Sequence, residues 1–427
     1  MTRYDVIVVG ARVAGAATGM LLARAGLRVL VLERAAFPSD TVSSHQVQVP
    51  GIALLHRWGL LDGLRAAGTP ATRRVRFDAG HTAFEGPLPS YGGVDALYSP
   101  RRTLLDARLA DAARAAGAEV RERFRVTGLV WSEGRVTGVR GEGRGGAPVT
   151  ERAPLVVGAD GKHSLVAREA GARAYRTRPA RAFASYSYWA GLPVTAGELY
   201  QRPGRTVAVF PTNDDLTMVY VAAPLTEFDA LRGDLDGHVR RTADGCGDLG
   251  PRLRAAERAE RLRTTPDQPN TLRVPHGPGW ALAGDAGAVM DSITAQGITN
   301  ALRDASLLAD AVVRGLPGGP RRLDAALRAR HRRRDAGLRE MYDLTVGLAE
   351  FAPPGRLERR FLAAVAERPA EAERFLAAFT GAAPLRAYRA RAAARLLLRR
   401  PRAGGGPPPA TSAHRPAVPG SPSGGRT

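Results

Sequence analysis

The chain has one cysteine, one lysine and few aromatic residues, and each scarcity excludes something. Cys246 has no second thiol for an internal disulfide, and no His/Cys cluster with zinc-ligand spacing accompanies it. Neither a disulfide scaffold nor a structural metal is expected, and a reducing compartment fits. No apolar run approaches the roughly 20 residues that span a bilayer. The first strand-like run begins at Tyr4, with no room for a leader ahead of it, so a cytoplasmic protein without stable membrane insertion is expected. Lys162 is the only lysine, although the net charge is +21. Arginine supplies the rest, scattered through an Ala/Gly/Arg-rich chain without the interleaved aromatics of a nucleic-acid surface, so no nucleic-acid partner is expected. Local exceptions are Arg332, Arg333 and Arg334, and the segment from Arg386 to Arg400. Its stretch YRARAAARLLLRR reads as a solvated terminal helix, compatible with weak association with an anionic surface. At 427 residues the chain has length for two or three packed lobes; no motif in it fixes an oligomeric state.

From Tyr4 to Glu33 the sequence reads as one β-α-β unit. YDVIVVG is a continuous apolar strand, GARVAG a turn, AATGMLLARAG a helix ending at Gly26, and LRVLVLER a second buried strand. A further helix is predicted from about Arg102 to Ala116, stopped by Gly117. FRVTGLVW and RVTGVRG then flank the Ser132-Glu133-Gly134 turn of a hairpin, and APLVVGADG supplies another strand. Between about Arg181 and Pro224 the pattern changes to alternation broken by turn candidates at Pro203-Gly204 and Asn213-Asp214, which predicts a separate antiparallel sheet. GWALAGDAG returns to the style of the first lobe, and helical periodicity dominates from Ile298 onward.

Three motifs carry chemistry. In the first, Gly10-Ala11-Arg12-Val13-Ala14-Gly15, Gly10 permits a tight turn, Gly15 lets helix and strand approach, and the helix N-terminus offers N–H groups to a pyrophosphate. Glu33 closes the second strand, where a carboxylate accepts hydrogen bonds from ribose hydroxyls. Arg12 stands where a middle glycine is usual, so its side chain must turn away or toward the phosphates. The second motif, Gly158-Ala159-Asp160-Gly161-Lys162-His163-Ser164, ends an apolar strand and alone is only a turn. The third is Gly284-Asp285-Ala286-Gly287, followed by Ala295-Gln296-Gly297-Ile298 at a helix start. There Asp285 can bond a ribityl chain, and the N–H groups of Gly297 and Ile298 can face the electron-rich edge of an isoalloxazine.

In this order the three motifs resemble the FAD-dependent oxidoreductases of the aromatic-hydroxylase type, the class A flavoprotein monooxygenases, over about residues 4 to 350. The resemblance implies an α/β fold: a glutathione-reductase-like FAD-binding lobe with a discontinuous parallel sheet, an antiparallel β-sheet substrate lobe and a helical C-terminal region. The expected FAD lobe comprises residues 1–80, 100–178 and 271–330, and the sheet lobe 81–99 and 179–270. Residues 331–400 form the helical region, and 401–427, rich in Gly, Pro and Ser, a disordered tail. The resemblance further implies noncovalent FAD, NAD(P)H as reductant, and dioxygen and a small organic molecule as co-substrates. Carried over by position, Gly10, Ala11, Ala14, Gly15, Glu33 and Arg34 hold the ADP half. Arg102 contacts the cofactor at a helix start, Asp160 belongs to the motif shared by FAD and pyridine nucleotide, and Gly284, Asp285, Gln296, Gly297 and Ile298 hold the flavin half.

Departures lie nearest the substrate: Ala288, Asp291 and Ser292 stand where hydroxylases carry a histidine and a proline pair, Ala295 replaces a glycine, and Thr299 an asparagine. Asp291 and Ser292 are therefore candidate substrate contacts, with Tyr188 and Phe210 among the sheet aromatics Tyr186, Tyr188, Trp189 and Phe210. His45, in the stretch passing beside the flavin, is the candidate catalytic residue, as proton donor or flavin contact. Monooxygenation by hydroxylation or epoxidation leads. Alkene saturation by a flavin reductase, similar to geranylgeranyl reductases, is the alternative. A flavin-dependent halogenase, which needs a lysine between the lobes and a Trp-x-Trp-x-x-Pro stretch absent here, and a non-enzymatic basic binding protein come behind.

Overall fold

The computed structural model describes residues 4–397. Its central element is a six-stranded sheet in the order His276–Gly277, Trp280–Leu282, Leu155–Gly158, Val6–Val9, Val29–Leu32, Glu119–Arg121. All neighbours run parallel except the first pair. The four inner runs are apolar at every position because both faces are covered. Val6, Val8, Val29, Val31, Leu155 and Val157 face one core, shared with the helices Val13–Arg24, Arg102–Ala115 and Gly297–Gly315. Ile7, Val9, Leu30, Leu32 and Val156 face a second core, closed by Phe124, Leu129, Val136 and Val139. The last three lie in a three-stranded antiparallel sheet, Arg125–Ser132, Arg135–Glu142 and Pro148–Arg152. Its first hairpin turns through Glu133 and Gly134, with φ of 49° and 70°, the pair of left-handed residues that matches strand twist. Because Trp280–Leu282 joins the six-stranded sheet beside Leu155–Gly158, the lobe is discontinuous in sequence, as expected.

The second lobe is an eight-stranded, mainly antiparallel sheet. One boundary differs from the sequence reading. Arg74–Asp78, expected within the nucleotide lobe, pairs with Ala83–Pro87 and runs parallel to Gly197–Arg202, so it is part of this second sheet. Alternation along Ala182–Ala190 sorts the aromatics by face. Trp189 packs with Tyr200, Val207 and Val219 beneath the helices Leu235–Asp244 and Leu249–Ala255, where Cys246 is also buried. Tyr186, Tyr188, Phe210 and Tyr220 share the opposite face.

After Gly297–Gly315 come the 30-residue helix Gly319–Leu348 and three shorter ones, Arg356–Ala366, Pro369–Phe379 and Leu385–Leu397. The last is docked rather than free: Tyr388 and Ala392 pack on Ala378, and Arg386 pairs with Glu340 at 2.9 Å. The arginine run at 332–334 is not one patch either, since Arg334 is buried against Asp335 while Arg332 and Arg333 are exposed. Among the described residues no helix is long and apolar enough to cross a membrane. The segment 401–427, expected as a disordered tail, lies outside the described residues.

Candidate cofactor and substrate site

The nucleotide end is built from positions that only glycine can fill. Gly10 has φ +96°, and a Cβ there would stand 2.5 Å from the Ala159 carbonyl oxygen; a Cβ on Gly15 would stand 1.8 Å from the Gly10 carbonyl oxygen. Ala11 and Ala14 flank this contact, and both are buried. Glu33 is buried at the end of its strand, accepting the Ala11 N–H at 2.8 Å and the Ala35 N–H at 3.0 Å. A carboxylate has about four lone-pair directions, so acceptor capacity remains for ribose hydroxyls. Arg34 is exposed beside it.

Arg12 turns away from the glycine turn. Its Nη1 donates to Asp106 Oδ2 at 2.6 Å and its Nη2 to Ser39 Oγ at 3.1 Å. Arg102 donates to the same fully buried Asp106, at 2.8 and 3.0 Å. One carboxylate thus fixes two guanidiniums at the start of the Arg102–Ala115 helix.

Asp160 serves its own turn. Its Oδ2 accepts the N–H of Leu165 at 2.7 Å and of Val166 at 3.2 Å, capping the short helix Leu165–Glu169. Lys162 and His163 point outward to Asp267, at 3.0 and 2.7 Å. Asp285 differs from Asp160. It has no hydrogen-bond partner among the described residues and is open to solvent, yet protein crowds it; burial raises its carboxyl above the ordinary value while Arg102 and Lys162 oppose the shift. Such a carboxylate on a concave wall is free to accept from ligand hydroxyls. The backbone beneath it is fixed by buried Asp304, which accepts the Gly284 N–H at 3.0 Å.

At the flavin half, Gly297 and Ile298 begin a 19-residue helix, whose first N–H groups have no intrahelical acceptor. Gln296 is buried with its Oε1 unpartnered. Ala295, where the resemblance has glycine, is left-handed with φ 51°. Thr299, in place of asparagine, accepts the Gln48 N–H on Oγ1 at 3.0 Å and so ties the 45–48 stretch to the helix start.

A small pocket of about 50 Å³ lies where that stretch, the Ser292–Ala295 loop and the aromatic sheet face meet, lined by Gln46, Phe210, Tyr220, Ser292, Leu376 and Phe379 among others. Nothing in the sequence singles out Tyr220. Its hydroxyl meets Ser292 Oγ at 2.8 Å, and Ser292 bonds in turn to Gln268 Oε1. Alternation predicts a strand over TMVYVAAP, but only its register against Ala182–Ala190 decides that Tyr220 faces inward. Asp291 lies behind the pocket wall, buried. Its Oδ1 accepts the Ile293 N–H at 2.9 Å, its Oδ2 has no partner, and burial pushes the carboxyl up to about 7.

His45 is buried with both ring nitrogens engaged: Nδ1 lies 3.1 Å from the Ser99 carbonyl oxygen and Nε2 2.9 Å from the Tyr188 hydroxyl. Burial, with Arg101 and Arg102 nearby, pushes its pKa down to about 3. A neutral ring donating from Nδ1 to the carbonyl accepts the Tyr188 proton on Nε2, so His45 holds Tyr188 and its one N–H is committed to Ser99. Arg101 lies over the Tyr188 ring, 4.0 Å from its centroid.

Glycine cradle, strand-end acid, unpartnered Asp285 and free helix N-terminus together fit a bound FAD. Residues 3–340 match the family model described as FAD binding domain, and the chain belongs to this family of FAD-dependent oxidoreductases of the aromatic-hydroxylase type. Among curated relatives, squalene epoxidase erg1 of Schizosaccharomyces pombe is 26% identical, covering 71% of this chain and 68% of its own. Digeranylgeranylglycerophospholipid reductase of Methanocella arvoryzae is 28% identical, covering 74% and 79%, and 6-methylpretetramide 4-monooxygenase of Streptomyces rimosus 30% identical, covering 70% and 73%. Among solved structures, a flavin-dependent brominase superposes with TM-score 0.75 at 20% identity, covering 89% of this chain and 94% of its own. A probable FAD-dependent monooxygenase from Pseudomonas aeruginosa gives 0.67 at 21%, covering 87% and 99%. At those identities the structural likeness speaks for the fold alone.

Proposed function

We propose that the chain is a monooxygenase that binds FAD noncovalently, takes two electrons from NAD(P)H and inserts one atom of dioxygen into an apolar organic molecule by hydroxylation or epoxidation, the other atom leaving as water. The observation that carries this reading is the apolar aromatic face of the sheet lobe, set opposite the loop before Gly297 at the flavin half of the cofactor site. Bound FAD supplies electron transfer and oxygen activation. The chain's own residues bind, orient and exclude water. Gly10, Ala11, Ala14, Gly15, Glu33 and Arg34 hold the ADP half. Asp285 accepts from the ribityl chain with Arg102 close by, and the N–H groups at Gly297 and Ile298 stabilise negative charge at the helix N-terminus. Phe210, Leu376 and Phe379 keep the pocket dry, while the Tyr220–Ser292–Gln268 chain offers one polar anchor in it. His45 acts through Tyr188 as a positioning residue.

Alkene reduction is the second reading, supported by the resemblance to the Methanocella reductase over 74% of the chain. A halogenase reading has less support, because the only lysine is paired with Asp267 in the second motif, outside the pocket. The test is NAD(P)H and dioxygen consumption followed together against a panel of apolar aromatic and polyene substrates. Oxygenation requires about one dioxygen per reduced nicotinamide and a product heavier by one oxygen atom. Anaerobic turnover to a saturated product overturns it.

A further inference from the structure

A second, larger cleft lies apart from the pocket under the sheet. It occupies about 480 Å³ between the helix Gly297–Gly315, the helix Gly319–Leu348 and the turn before the last helix, a volume within the range of roughly 300–1,000 Å³ that ligand sites occupy. None of the Gly10–Gly15 turn, Glu33 or the 45–48 stretch lines it, although its inner end reaches Gly284, Asp285 and Gly297. Leu307, Leu338, Met341, Ala378 and Leu385 make its walls largely apolar.

Arg303 stands in that wall. Among the described residues its guanidinium makes one hydrogen bond, from Nη2 to the Gly381 carbonyl oxygen at 2.9 Å, and no carboxylate pairs with it. Three other charges of the cleft are paired, Asp304 with Arg330, Arg334 with Asp335, and Glu340 with Arg386, while Arg333 is exposed at the rim and Asp285, at the inner end among the cofactor-site residues, has no hydrogen-bond partner among the described residues. Arg330 and Arg334, both buried, each have an acid partner. Arg303 cannot shed its charge, and a guanidinium held among apolar walls without a counter-ion is costly unless something pairs with it. A single unpaired fork matches a single carboxylate in bidentate geometry; a phosphate dianion would need a second enclosed cation.

We propose that this cleft binds an amphipathic monocarboxylate, its carboxylate on Arg303 and its apolar body along Leu307, Leu338 and Met341. The proposal is independent of oxygenation, and its test reads binding rather than turnover. Isothermal titration of the full-length, FAD-loaded protein with decanoate and 2-naphthoate, against decanol and 2-naphthol, gives the affinities. At least one acid should bind one to one, and at least tenfold more tightly than its alcohol. Arg303→Gln should weaken the acid at least tenfold and leave the alcohol unchanged, with flavin content and melting point recorded to establish folding; Arg303→Lys should fall between. Leu307→Trp, which fills the cleft and keeps the arginine, should abolish binding of both and carries the test if the arginine variants fail to fold. Failure of both acids to bind, equal affinity for acid and alcohol, an acid affinity indifferent to Arg303→Gln, or binding that survives Leu307→Trp would each overturn the proposal.

Discussion

The substitution Asp291→Asn should make the protein more stable in a way that depends on pH. Asp291 is 1% exposed, with one carboxylate oxygen on the Ile293 N–H and the other unpartnered, and its pKa is raised from 3.8 to about 7 by burial. Unfolded, the carboxyl releases its proton near 3.8; folded, near 7. Between those values the folded state holds more protons, so raising the pH favours unfolding, and the loss is complete above pH 7. The roughly thousandfold difference in proton affinity corresponds to about 4 kcal/mol. Asparagine keeps the acceptor for Ile293 and cannot ionise, but its N–H₂ group inherits the site without a partner, at a cost of about 1–3 kcal/mol. The variant should therefore gain about 2 kcal/mol over the wild type at pH 8, a few degrees in Tm, and lose that advantage by pH 5, where only about a third of the ionisation cost has accrued. Denaturant melts of both proteins at pH 5, 6.5 and 8 measure the difference directly. A difference constant with pH, or a variant less stable than the wild type at pH 8, would refute the placement of this carboxyl.

Three further outcomes follow from the geometry. Gly10→Ala puts a methyl group 2.5 Å from the Ala159 carbonyl oxygen at φ +96°, so FAD affinity should fall at least tenfold; full flavin content in the purified variant would contradict the cradle. Asp285→Ala should lower FAD affinity more than Asp291→Ala, because the first carboxylate faces a concave surface without partners and the second caps the Ser292–Thr294 turn. Equal losses, read by flavin titration, would contradict that division. Ala295→Gly relieves a left-handed alanine at φ 51°, a conformation worth roughly 1 kcal/mol in strain, so the melting point should rise slightly, and a fall would mean the conformation is not strained.

The nucleotide lobe is legible in the sequence because its strands are buried on both faces, so VIVV, VLVL and LVVG stay apolar at every position, and because tight turns demand glycine at Gly10 and left-handed residues at Glu133 and Gly134. What sequence does not supply is pairing at long range. Arg12 is open between two directions until Asp106, 94 positions later, draws it away from the turn. Arg74–Asp78 carries no mark of its partner Gly197–Arg202, more than a hundred residues on, and so reads as part of the nucleotide lobe. Neighbouring Tyr188 and Trp189 look equivalent in sequence, and the register of one sheet sends them to opposite faces. Tyr220 and Gln268 come to the pocket through pairing and loop placement that local periodicity does not encode. His45 is visible as a residue, but its burial and its two hydrogen bonds, which make it a holder of Tyr188, are properties of packing.

The central claim, that the Gly10 turn, Glu33 and Asp285 hold one FAD without a covalent link, is tested most directly by titrating FAD into protein stripped of flavin and then denaturing the complex. The account predicts saturation at one FAD per chain, a yellow protein with the visible spectrum of bound flavin, and release of all the flavin as free FAD on denaturation. A colourless protein that takes up no added FAD, or flavin that stays with the denatured chain, would contradict it.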